Sequence, residues 1–443
     1  MAKIIFSLSF LLMGLVHFSY GQQKCGFDDF VNNNPVLKSD LIKHTEEFKA
    51  YQKQNNLRRL YTYNYDTTYV IKVVFHVLYN TPQQNIPDSC IMTQMDVLNE
   101  DFNRTNPDTI NTRDIFKPVA GKLKFKFVLA GKDPNGNPHS GIVRKTTSIS
   151  VFSQTSGGDY DSRMKFNTQG GSDAWNTDEY LNIWVCNMFT PQSGLLGYAT
   201  PPTGAVNWPS NVQFSKAQQG ASVHYYTVGR YNPNATANGS NSLGRTCTHE
   251  LGHYFGLFHT WGLRSNTCNV ATDDFLEDTP NTSSPNSGCN SNRNSCQWNE
   301  PGDLPDMVEN YMDYTRGSCQ NTFTEDQAAM MLFNMKTYRP TLYELELEQD
   351  STFVGNIAIK PVLLSNPGNR LIIGADNYSN TIFSVSIFNN IGQTIIKDKD
   401  IVLDKPFEFI ASSFYNYGHY IVRVTNQTTG EEEILKWSNA SLF

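Results

Sequence analysis

His249-Glu250-Leu251-Gly252-His253-Tyr254-Phe255-Gly256-Leu257-Phe258-His259 gathers three of the chain's nine histidines into one short segment. Residues four apart on a helix lie one above the other on the same face. A helix here therefore aims the imidazoles of His249 and His253 at one point, and Glu250 borders that point. His259 follows His253 by six residues, where a continuing helix would carry it well off that face. The chain must leave the helix first, and Gly256 is the residue able to do so with positive φ. After that bend His259 returns as a third nitrogen donor.

Three neutral nitrogens leave the fourth tetrahedral position open, which is the pattern of a catalytic rather than a structural zinc site. A closed structural site would draw on cysteines and would have no spare carboxylate. A bound zinc ion polarises a carbonyl and brings the pKa of a water towards ~7, and Glu250 is placed to take that water's proton and pass it to a leaving amine. Two histidines at this spacing recur by chance; the third, with a glycine at the helix end, makes chance a poor account. Further on stands Asn310-Tyr311-Met312-Asp313-Tyr314. Met312 alone would read as core packing. After such a zinc motif it reads as a methionine-bearing turn beneath the histidines, the mark of the metzincin clan. Tyr314 would then set a phenol beside the metal, able to stabilise an oxyanion.

Outward from this centre, the 443 residues suit two or three domains, and a formal charge of −7 without any Lys/Arg cluster argues against nucleic acid or an anionic membrane as partner. Lys3, the apolar run Ile4 to Val16, and Ser19 and Gly21 at −3 and −1 read as an export signal over residues 1–21. The run is shorter than the ~20 residues of a membrane span, and no other segment approaches that length. Residues 22–60, polar and helix-tending over Asp40 to Asn56 and closing on Arg58-Arg59, read as a pro-segment or a plain N-terminal extension. A catalytic domain is expected over 61–343. It opens on a β-branched and aromatic run, Val70 to Tyr79, expected as a buried strand. Ile91, Met95, Val97, Leu98 and Phe102 space out an amphipathic helix over Cys90 to Phe102. Further strands are expected at Leu123 to Leu129, Tyr180 to Cys186 and Ala221 to Val228, and a helix at Glu325 to Tyr338, stopped by Pro340. Strands and helices alternate, so the domain should be α/β or α+β. From residue 350 to 443 short alternating strands (Ile357 to Ile359, Leu371 to Ile373, Ile382 to Phe388, Tyr420 to Val424) predict a small β-sandwich.

Several segments resemble the pappalysin family of metzincins over about Val70 to Arg339: Val97 to Phe102, Gly194 to Ala199, the zinc motif, Glu277-Asp278-Thr279-Pro280, and Asn310 to Tyr314 with Phe323-Thr324. The resemblance implies an α+β (α/β-type) metzincin catalytic domain, a twisted mixed sheet with an active-site helix, acting as a secreted zinc metalloendopeptidase on protein or peptide substrates. It implies the disulfides Cys268–Cys296 and Cys289–Cys319, among three pairings that spacing alone leaves open. It also implies structural calcium at Asp274, the backbone of Glu277, and Thr279; oxygen ligands on a loop suit that ion, and a solvated acidic loop is the plainer alternative. Cys25, in Lys24-Cys25-Gly26, matches the pro-segment cysteine with which relatives occupy the fourth zinc position, giving a latent zymogen. Pairing with Cys90 and a lipid anchor are its other readings. Export permits a Cys186–Cys247 pair, and nothing in the sequence specifies one.

The C-terminal zone resembles the sorting domain of type IX secretion substrates, through Asn366-Pro367, Ile387 to Gln393 and Gly418 to Val424. The Pro-Asn-Pro opening is missing and the Lys-rich ending is reduced to Lys436. That resemblance implies secretion machinery as a partner and an exported product, released or held at the cell surface. An immunoglobulin-like binding module is the alternative, and with it an adhesin in which the metal domain is incidental.

Overall fold

The computed structural model describes residues 24–55, 67–153, 161–188, 194–202, 216–235, 243–262, 268, 273–296 and 303–347, and strand segments between 359 and 439. The export signal, Arg58-Arg59 and Asn366-Pro367 lie outside the described residues. In chain order the elements are β1 (Lys24–Cys25), α1 (Phe27–Asn32), α2 (Pro35–Asn55), β2 (Thr67–Tyr79), α3 (Asp88–Asn103), β3 (Ala120–Gly121), β4 (Phe125–Leu129), β5 (Ile142–Thr146), β6 (Leu181–Cys186), β7 (Leu195–Ala199), β8 (Ala221–His224), α4 (Arg245–Tyr254), β9 (Phe323–Thr324), α5 (Glu325–Tyr338) and β10 (Tyr343–Leu347).

One eight-stranded mixed sheet organises them, in the order β1-β7-β8-β6-β2-β10, with β4 and β5 also paired to β2. β2 is its spine. β4 and β10 flank its first half, β5 and β6 its second, all parallel to it except β10. Strands covered on both faces read as near-continuous apolar runs, which is why Val70 to Leu78 shows so little alternation. β8 runs parallel to β6, β7 antiparallel to β8, and β1 adds to β7 in parallel.

The main core joins Ile71, Val73 and Phe75 of β2 and Ile183 of β6 to Ile91, Leu98 and Phe102 of α3, Leu251 of α4 and Met331 of α5. Each such side chain contributes roughly 1.5–3 kcal/mol relative to exposure. The helical spacing expected of α3 is met, with Ile91, Met95, Val97, Leu98 and Phe102 all buried. α5 opens with a capping box: Thr324 Oγ1 accepts from Gln327 N, and the Gln327 side chain accepts from Thr324 N. Its end is also where the sequence sets it, with Arg339 as the C-cap before Pro340.

Two expectations need adjusting. The strand expected over Ala221 to Val228 stops at His224, because Thr227 Oγ1 donates to His224 O and Tyr226 N to His224 Nδ1, turning the chain into a short 3-10 helix. The strand Tyr343–Leu347, which starts at the expected domain end and runs past it, pairs with β2 and belongs to its sheet.

Further on, β11 (Ile359–Val362), β12 (Arg370–Ala375), β13 (Ile382–Asn389), β14 (Thr394–Val402), β15 (Phe407–Ile410), β16 (Gly418–Asn426) and β17 (Glu432–Asn439) form two antiparallel sheets, β11-β12-β15 and β14-β13-β16-β17. The first of these strands begins at Ile359, where the expected Ile357 to Ile359 ends.

Candidate metal centre

α4 carries His249, Glu250 and His253, all buried. Two features end it. Gly256 N donates to His253 O and Leu257 N to Gly252 O, and Gly256 takes φ +95°. A Cβ at Gly256 would also stand 2.2 Å from Asn334 Nδ2, so no larger residue fits the bend without displacement. The chain then brings His259 back, fully buried. The three Nε2 atoms converge at 3.1–3.2 Å from one another.

Each Nδ1 faces an acceptor: Tyr311 O for His249 at 2.7 Å, Leu257 O for His253 at 2.8 Å, and Asp28 Oδ1 for His259 at 2.7 Å. A carbonyl only accepts, so Nδ1 of His249 and His253 must carry the proton, leaving bare lone pairs at Nε2. Two such lone pairs, buried and facing each other and the Nε2 of His259, suit a cation. Zinc–nitrogen bonds of ~2.0–2.1 Å in a tetrahedron separate the nitrogens by about 3.3–3.4 Å, close to the spacing found. Burial, then the neighbouring His259, pushes His249 down to about 3, and burial holds His253 well below the usual imidazole range. Both rings therefore stay neutral, the form that binds metal.

Met312 is fully buried, and its Sδ lies 2.3 Å from where a Cβ at Gly252 would stand, so the turn passes directly under α4 between the two helical histidines. Asn310 Oδ1 accepts from Met312 N, and Asn310 is tied to Gln327 of the capping box. The first turn of α5 thus also holds the methionine turn. The Tyr314 ring lies 4.9 Å from that of His259, and its hydroxyl donates to Cys25 O at 2.9 Å.

The N-terminal segment covers this centre. Lys24–Cys25 pairs with β7, Gly26 N donates to Gly197 O, and Phe27 stacks on His253 at 3.8 Å. Cys25 Sγ, half-buried, lies 3.4 Å from Glu250 Oε2 and within 4.8 Å of the three ring nitrogens. Burial lifts the Glu250 carboxyl well above the usual range, partly opposed by the hydrogen bond from Cys25.

Disulfides join Cys268 to Cys296 and Cys289 to Cys319. Cys25, Cys90, Cys186 and Cys247 are free thiols, so neither a Cys25–Cys90 nor a Cys186–Cys247 bond is formed. Cys186 turns to Met164 Sδ in one core cluster, whereas Cys247 packs in another. In the acidic loop, Asp274 Oδ1 accepts from Thr279 Oγ1 at 2.7 Å, buried Asp274 Oδ2 has no hydrogen-bond partner among the described residues, and the Glu277 side chain is exposed.

Sequence reasoning missed Asp101. Fully buried on α3, it accepts from Thr248 Oγ1 at 2.7 Å and Tyr311 Oη at 3.0 Å, and its Oδ2 lies 3.0 Å from Arg245 Nε. It thus ties α3 to the residue before His249 and to the residue before Met312. Its only sequence signal is an acid on the apolar face of an amphipathic helix. Asp101→Ala would leave Arg245 buried without this partner, and losing half of a buried pair costs about 3–5 kcal/mol. Denaturant unfolding should show a loss of that size; a loss under about 1 kcal/mol would contradict the assignment.

Comparison with known proteins places this geometry. The peptidase M43 family, described as pregnancy-associated plasma protein-A, matches residues 165–336. An extracellular metalloprotease of Arthroderma benhamiae is 30% identical over 275 residues, covering 61% of this chain and 78% of that protein. Among solved structures, mature mirolysin of Tannerella forsythia in complex with a cleaved peptide is 39% identical, with a TM-score of 0.54 and coverage of 62% of this chain and 95% of that one. A promirolysin mutant from the same organism is 36% identical, with a TM-score of 0.57 and coverage of 71% and 95%. By mixed sheet, convergent histidines and these identities together, the chain belongs to the pappalysin-like M43 family of metalloproteases.

Proposed function

We propose that the chain is an exported zinc endopeptidase, made latent, in which His249, His253 and His259 hold the metal and Glu250 is the general base. The observation that carries this reading is the convergence of three buried Nε2 atoms, each with its Nδ1 turned to an acceptor, beside a carboxylate that is not one of them. Zinc held there supplies Lewis acidity, polarising the scissile carbonyl and acidifying a water. The Glu250 carboxylate takes the proton of the attacking water and delivers it to the leaving amine. Once freed from Cys25 O, the Tyr314 hydroxyl donates to the oxyanion. Met312 keeps the floor of the site apolar and fixed.

Latency is the second part of the reading. Residues 22–60 act as the pro-segment, and Cys25, set against the general base and beside the three ring nitrogens, would take the fourth metal position. The similarity to a promirolysin supports it. The relatives named extracellular metalloproteases, and the short apolar run after Lys3, support export; among the described residues no helix is long and apolar enough to cross a membrane. Peptide substrates follow by analogy with the mirolysin complex. The remaining assignments are a catalytic domain over 61–343, carried on to Leu347 by the pairing of β10 with β2, a β-sandwich sorting domain over 350–443 that engages secretion machinery, and calcium at Asp274, the Glu277 backbone and Thr279. The partnerless oxygen of Asp274 supports the calcium, because a buried carboxylate oxygen without a partner is costly and a cation relieves it.

Chelation tests the reading. Casein digestion by the processed enzyme should vanish when a zinc chelator strips the metal and return when stoichiometric zinc is restored. Digestion that survives complete metal removal would refute it.

A further inference from the structure

The three histidines are not held alike. His249 and His253 donate through Nδ1 to carbonyls of the catalytic domain itself, Tyr311 O and Leu257 O. His259 donates instead to Asp28, three residues past Cys25 in the N-terminal segment. The second Asp28 oxygen accepts from Trp261 Nε1 at 3.1 Å. Trp261 stacks on His259, with ring centroids 4.2 Å apart and planes 13° apart. Two parallel rings therefore present two N–H groups side by side, and one carboxylate takes both. Both rings are buried, His259 fully and Trp261 at 2% exposure. In the uncut chain this is a carboxylate–histidine pair in which the carboxylate belongs to a segment expected to leave.

From this asymmetry we infer that Asp28 is a positioning residue for the metal, so that the uncut chain holds zinc more tightly than the processed enzyme for a reason separate from the Cys25 thiol. The inference rests on the zinc reading above. A carboxylate on the outer nitrogen of a ligating histidine fixes its tautomer and ring plane and makes the inner nitrogen more basic; losing such a partner lowers metal affinity about 10–100-fold. Cys25 and Asp28 act on different groups. Cys25 sits against Glu250, where it would take the open coordination position, and Asp28 lies behind His259. Removal of the segment therefore takes away a ligand and also an outer support, leaving His259 Nδ1 to water. The N-terminal segment is on this account a metal-retention device as well as a plug.

The test uses the full chain carrying Glu250→Gln, which is not a ligand change and removes the proposed general base, with the chain verified as uncut by intact mass. Zinc affinity is read by competition against a chromogenic chelator, and the melting temperature of the metal-free protein is read in parallel. Asp28→Ala should weaken zinc about 10–100-fold, both with Cys25 intact and in a Cys25→Ser background. Asp28→Asn, which keeps an acceptor for His259, should bind zinc more tightly than Asp28→Ala. A role confined to docking the segment would move the metal-free melting temperature and leave zinc affinity in the Cys25→Ser background unchanged. If Asp28→Ala stays within about twofold of its parent in both backgrounds, the inference falls while the zinc reading stands. A parent chain that binds no zinc would remove the zinc reading itself.

Discussion

Glu250→Gln is expected to lower kcat/KM of the processed enzyme on peptide substrates by about 10²–10⁴-fold, the range that a positioned general base contributes. The substitution is nearly isosteric, so the packing around it is kept. Glu250 is buried on α4, and β7 approaches it closely: a Cβ on Gly197 would stand 2.5 Å from its Oε1. An amide fills the same space yet cannot take a proton from the attacking water. Because Glu250 is not one of the converging donors, zinc content should be unchanged, and because it is not a binding anchor, KM should move little. The loss should therefore appear in kcat. Activity within tenfold of the parent enzyme would remove Glu250 from the mechanism.

The second large effect concerns latency. Full-length Cys25→Ala, verified as uncut by intact mass, should hydrolyse a short peptide at least about tenfold faster than the full-length parent, because about 1.4 kcal/mol of lost metal–thiol binding already gives that factor. Cys25 Sγ stands against Glu250 and the three ring nitrogens, so its removal opens both the metal position and the base. The rest of the segment still covers the cleft through the β1–β7 pairing, the Gly26–Gly197 hydrogen bond and Phe27 stacked on His253. Small substrates should gain more than folded proteins for that reason. A full-length Cys25→Ala protein as inactive as the parent would mean that the covering segment, not the thiol, imposes latency.

Much of the centre was legible because it is local. The i, i+4 spacing of His249 and His253 holds on any helix, and the need for a bend before His259 identified Gly256, which adopts the positive φ that this geometry requires. Met312 was legible only by its order after the zinc motif; its contact with Gly252 is tertiary. Asp28 was not legible. It meets His259 only because the Lys24–Cys25 strand adds to β7, a pairing between segments far apart in sequence that leaves no periodic trace. β5 (Ile142–Thr146) was missed for a related reason. Its own side chains are mostly half-buried, so no apolar pattern marks it, and β2 supplies the pairing. His224 shows the reverse case. Its neighbours Val223 and Tyr225 read on as strand, but a side-chain hydrogen bond to the backbone ends it there.

Zinc-edge X-ray absorption on the purified full-length protein, calibrated by elemental analysis, addresses the metal centre without relying on activity. One zinc per chain is predicted, with three imidazole nitrogens at about 2.0–2.1 Å and one sulphur at about 2.3 Å. A protein without stoichiometric zinc, or a zinc shell lacking three imidazoles, would contradict the account.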